Sequence, residues 1–141
     1  MISVEPHVYP QIMPLTGEEV EAERLLQHWV TRLGLQDWTI KLFINVAPEE
    51  MDSPGCVGCT EFEESIKCAK VEIMDPQFYG TRLVPFRFET TLVHELLHLK
   101  LAFWCHEDDN KFEDRVMHQV IDDLARAFTW ESINKEEVEA E

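Results

Sequence analysis

The sequence predicts a mixed α+β domain, and three observations predict it. Apolar residues follow a helical period over residues 16–34. Strict two-residue alternation runs over residues 38–46. Two short strand-like stretches and then two helix-length apolar segments complete the pattern. The chain has 141 residues, 45% of them hydrophobic, enough for one compact core rather than two poorly buried halves. We expect an extended arm over 1–15, a single domain over 16–131 and an acidic, frayed tail over 132–141.

Each element has its own signal. Three of the seven prolines fall in the first 15 residues, which argues for an extended arm. Thr16 and Glu19 have the spacing of a capping box, and Gly34 is a natural stop. Between them Ala22, Leu25, Leu26, Trp29, Val30 and Leu33 share one side of a wheel drawn at about 100° per residue. Glu21, Arg24, His28 and Thr31 face away. In DWTIKLFINV, Trp38, Ile40, Leu42, Ile44 and Val46 alternate with polar positions and Phe43, as a half-buried strand requires. Residues 47–58 (APEEMDSPGCVG) are rich in turn formers. Short strands are expected near 59–62 and 67–73, the second placing Ala69, Val71 and Ile73 on one face and ending at Asp75-Pro76. A loop through Tyr79, Gly80 and Pro85 leads to a helix over 86–104. The polar run HEDDNK breaks it, and a last helix spans 112–130 before the acidic tail NKEEVEAE.

Charge excludes some functions. Twenty-eight acidic against 12 basic side chains give a formal net charge of −16, which repels phosphate backbones, so no nucleic-acid partner is expected. No apolar run approaches the roughly 20 residues that span a bilayer. The N-terminal stretch lacks the basic and apolar regions of a signal peptide, so a cytoplasmic location is expected. Cys56, Cys59, Cys68 and Cys105 are then read as reduced thiols.

The chemistry concentrates in TLVHELLHLKL, residues 91–101. On a helix His94 and His98 lie about 40° apart and one turn up, so both imidazoles can point at one cation. Glu95 sits about 100° round from His94, near enough to act on a metal-activated water without being a ligand. The helix is too apolar for histidines without partners or a cavity. A Zn²⁺ site held by His94 and His98 is the reading this supports.

A third donor is needed, and the last helix is where to seek it. Its apolar stripe is drawn by Val116, Met117, Val120, Ile121, Leu124, Ala127 and Phe128, with Glu113 near the middle. A carboxylate there needs a partner or a metal, which makes Glu113 the expected third ligand and Asp114 the reserve. His106 reads as a loop residue. His118 reads first as a surface residue, with orientation of a ligand or an oxyanion as its other role. Asp122 and Asp123 fall at the edge or on the wet side.

HELLH at 94–98, with EDRVMHQVIDDLARAF at 113–128 and the preceding order of helix, DWTIKL strand, hairpin and motif helix, resembles the small gluzincin-type metallopeptidases. The resemblance covers roughly residues 17–130. It looks like the minimal zincin core of minigluzincins and of peptidases encoded by phages and prophages. The catalytic part of SprT-like domains is a more distant likeness, lacking here a zinc ribbon and a charge suited to DNA. The resemblance implies Zn²⁺ on His94, His98 and Glu113, Glu95 as general base, and a peptide or protein substrate. It also implies an edge strand that holds a peptide by strand addition, for which residues 67–73 are the candidate.

CVGC at 56–59 has the spacing of a zinc knuckle but no second pair. A three-thiolate site would need Cys68 opposite Cys59, completed by Cys105 or His106. A glycine-punctuated turn with small apolar thiols is the simpler reading. The expected function is a zinc-dependent peptidase in which Glu95 takes a proton from a metal-activated water, with Tyr79 and His118 as candidate oxyanion donors. The competing reading is a zinc-stabilised binding or regulatory protein without useful turnover.

Overall fold

A computed structural model describes residues 2–4, 17–53, 55–104 and 111–140. The order is β1 (Ile2–Val4), α1 (Gly17–Arg32), β2 (Thr39–Val46), β3 (Gly58–Glu63), β4 (Cys68–Met74), α2 (Phe88–Lys100), α3 (Lys111–Phe128) and α4 (Trp130–Ala140). The class is α+β, as the periodicities require. No helix among the described residues is long and apolar enough to cross a membrane.

The four strands lie in the order β1-β2-β4-β3. The sheet is mixed: β2 and β4 are parallel, whereas β1 against β2 and β3 against β4 are antiparallel. Alternation in β2 buries Ile40, Leu42, Ile44 and Val46. An irregularity between Phe43 and Val46, with Asn45 at φ +55°, shifts the register so that Val46 pairs with Met74. Ala69, Val71 and Ile73 of β4 join Ile40, Leu42 and Ile44 in a core with α1 and α2. β4 also buries its other side, Glu72 and Met74. Glu72, 2% exposed, accepts a hydrogen bond from the Asp52 amide and so fastens the β2–β3 connection to the sheet.

α1 packs Ala22, Leu25, Leu26 and Trp29 inward. The Trp29 indole donates to the Glu89 carboxylate at 2.9 Å, tying α1 to the first turn of α2. α2 is buried on most of its circumference, through Leu92, Val93, Leu96, Leu97 and Leu99. Residues 102–104 form a short 3-10 turn instead of extending it to 104 as expected.

Three expectations change. The strand at 67–73 is an interior strand of the sheet, and β3 is an edge, as β1 is on the other side. Residues 130–140 are helical rather than frayed, with Ile133 buried and its amide donating to the Thr129 carbonyl. Of the extended arm, residues 2–4 are a sheet strand; residues 5–15, the cap at Thr16, Cys105 and His106 lie outside the described residues.

Candidate metal centre

The motif helix presents its polar residues to a cleft of about 820 Å³ bounded by β3, α2, α3, the start of α4 and the loop through Tyr79 and Val84. His94 and His98 are half-buried, with ring centroids 5.2 Å apart, as i, i+4 spacing dictates. His118 of α3 completes the group: its ring lies 6.3 Å from that of His94 and 5.1 Å from that of His98. One donor atom from each of the three falls within 4.8 Å of the other two. Three imidazoles so gathered would suit a Zn²⁺ ion.

The sequence expectation named Glu113 for that third position. Glu113 sits in the first turn of α3, partly buried, and its carboxylate is not in the group. Helix geometry explains why: Glu113 and His118 are five residues apart and so point about 140° away from each other. α3 buries Met117, Ile121 and Ala125, whereas Val116, Ala127 and Phe128 stay exposed. The helix is thus rolled away from the stripe read off its sequence. The roll turns His118 and Asp122 toward α2 and leaves Glu113 on the opposite flank. Asp114 is exposed and also outside the group.

Asp122 stands at the edge of α3, as its position on the helical wheel predicts, and from there it orients His94. Its Oδ1 is 2.7 Å from His94 Nδ1. With that proton donated to the carboxylate, Nε2 is left as the unprotonated donor, the arrangement that orients metal-binding histidines. Burial lowers the pKa of His94, opposed by Asp122. Burial, with His94 and His118 adding repulsion, pushes His98 down to about 4. Both rings are therefore held neutral, the state a cation needs.

Glu95 is 4% exposed, and its Oε2 is 3.8 Å from His94 Nε2. Thr60 of β3 donates its hydroxyl to Glu95 Oε1 at 2.7 Å. Burial outweighs that hydrogen bond and raises the carboxyl to about 7, where a general base works best near neutral pH. Gly58 makes room for it. A Cβ at position 58 would meet Glu95 Oε2 at 2.7 Å and Cγ at 2.9 Å, so only glycine lets the edge strand run this close.

Other candidates fall away or move. Tyr79 lines the cleft, but its hydroxyl donates to the Val84 carbonyl at 2.5 Å. Cys56 and Cys59 also line the cleft. Cys59 stands opposite Glu72 and Cys68 opposite Glu63, so the cross-hairpin pairing needed for a thiolate site does not form. The signal that could have found His118 and Asp122 is their own i, i+4 spacing, which matches that of His94 and His98. Comparison with known proteins adds no identity: no family model, curated protein or solved structure matches the chain.

Proposed function

We propose that the protein is a zinc-dependent peptidase whose metal is held by His94, His98 and His118, with Glu95 as general base. The observation that carries this reading is the convergence of three imidazoles beside a buried carboxyl poised near pH 7, in a cleft open to a substrate. A bound zinc ion would supply a Lewis acid for the scissile carbonyl and a lowered pKa for water. Glu95 takes a proton from the attacking water and returns it to the leaving amine. Thr60 keeps the carboxylate aimed, and Asp122 keeps His94 in the right tautomer. A peptide or protein is the substrate, and β3, an edge strand among the described residues that runs beside Glu95, is the strand that would hold it in extended form.

The histidine donor departs from the glutamate that the gluzincin resemblance implies, so the proposal rests on the donor set and not on that family. The described cysteines are free thiols, which suits a reducing, cytoplasmic setting and forms part of the proposal. Metal analysis of protein purified without added zinc, followed by a peptide-cleavage assay, tests it. One equivalent of zinc is expected. Glu95→Gln should keep the zinc and lose hydrolysis by at least a hundredfold; cleavage undiminished in that variant would refute the mechanism.

A further inference from the structure

The connection from β2 to β3 forms one wall of the cleft. Ser53, Cys56 and Val57 line it there, and the chain then runs into Gly58 and Thr60 beside Glu95. Both ends of the connection are bonded to β4 and the residue after it. The Asp75 amide donates to the Val46 carbonyl at 3.0 Å, and the Met74 amide to the Val57 carbonyl at 2.8 Å. Midway between them stands a group that the peptidase chemistry leaves unused, the buried carboxyl of Glu72.

Glu72 points to the face of β4 turned away from α1 and α2, because Val71 and Ile73 on either side of it belong to the helix-covered core. A branched aliphatic side chain would fill such a place without the cost of taking a carboxyl out of water. What the carboxyl adds is a grip on Asp52. Its Oε1 accepts from the Asp52 amide at 3.2 Å and lies 3.9 Å from Lys70 Nζ. Lys70, one step along the same face, donates to Asp52 Oδ2 at 3.1 Å and stands 5.7 Å from the centre of the Phe43 ring. Asp52 is thus held at its backbone and at its side chain by alternate residues of one strand, and Met51 before it is buried. The half-exposed ion pair adds little alone. The bond to Glu72 matters more, since its loss would leave a buried oxygen short of a donor.

We infer that Glu72 is a positioning residue for substrate binding: from the far side of the sheet it holds Ser53, Cys56 and Val57 where they line the cleft. β3 is registered to β4 over six residue pairs, so Gly58 and Thr60 keep their places beside Glu95 when the anchor is lost. The wall lies outside that ladder and shifts. The consequence is a defect in peptide binding with the chemical step intact. Binding of a peptide rests on the peptidase reading; the anchoring does not.

The test uses the full chain loaded with zinc and takes two readings: amide hydrogen exchange at Ser53, Cys56 and Val57, and the steady-state constants for a cleaved peptide. Asp52 is left out of the first, because its amide loses its acceptor in any case. Glu72→Leu fills the space and removes the acceptor. It should speed exchange at the three amides about tenfold more than at Val71 and Ile73. It should also raise KM about fivefold, with kcat changed by less than about twofold. Glu72→Gln keeps an oxygen for the Asp52 amide and should bring both readings back to within about twofold of the unsubstituted chain. Lys70→Gln cuts the ion pair without entering the core, so it tests the anchor even if Glu72→Leu does not fold; it should speed the same exchange about threefold. Unchanged exchange at the three amides, exchange that rises equally along β4, or a lower kcat with KM unchanged overturns the inference. If the unsubstituted chain cleaves nothing, the peptidase reading falls and exchange alone decides the anchor.

Discussion

At the scale of single residues, the choice between His118 and Glu113 is the sharpest test. Removing a ligand costs a coordinate bond, whereas Glu113 lies outside the donor group. His118→Ala is expected to weaken zinc binding at least a hundredfold, and Glu113→Ala to change it less than threefold, by competition with a chelating dye. Gly58 offers a second test. A methyl group there forces the Glu95 carboxyl aside, and under the proposed mechanism a displacement of about 1 Å can cost a hundredfold in rate. Gly58→Ala should lower turnover at least tenfold while zinc stoichiometry stays at one. That His94, Glu95 and His98 line one cleft was legible because their relation is local, set by helical spacing alone. That His118 joins them was not, because it depends on the roll of α3 about its axis. The apolar residues Val116, Ala127 and Phe128 pull a sequence-drawn stripe toward Glu113, yet they remain exposed.

Among elements, the junction of α2, α3 and α4 holds the two helices of the site in step. Thr129, 1% exposed, donates to the Ala125 carbonyl at 2.7 Å and meets the Thr90 hydroxyl at 2.8 Å. Thr129→Val keeps the shape and strips the hydroxyl, leaving Thr90 short of a partner in a part-buried place. A loss of about 1–2 kcal/mol is expected in urea unfolding. Adding Thr90→Val should recover part of it, since both polar groups are then gone. The sheet was legible as strands but not as an order. Alternation reveals which face of a strand is buried and says nothing about which neighbour it pairs with. The parallel pairing of β2 with β4 makes β3 an edge, and a hairpin reading alone could not choose. Likewise α4 depends on Ile133 finding the core, a long-range contact that an acidic composition hides.

For the whole molecule, the buried titratable groups set a pH range for the metal-free protein. The Glu95 carboxyl is raised from 4.5 to about 7, so the folded state holds a proton that the unfolded chain releases; stability falls as pH rises from 4.5 through 7. His98 is lowered from 6.5 to about 4, so stability falls in the other direction, as pH drops from 6.5 through 4. Each contributes on the order of 3 kcal/mol at its limit. Metal-free protein should be most stable between about pH 5 and 6. Glu95→Gln should remove the decline on the alkaline side, which thermal unfolding across pH would read.

The column on α3 has a consequence for ion choice. Successive turns offer an imidazole at 118, a carboxylate at 122 and a guanidinium at 126. Sliding α3 by one turn, about 5.4 Å, would exchange a borderline nitrogen ligand for a hard oxygen and favour manganese or magnesium over zinc. In the proposed site, selectivity among divalent ions would follow from the axial seating of one helix, and substitutions far from the histidines that reseat it would change the preferred ion before they emptied the site.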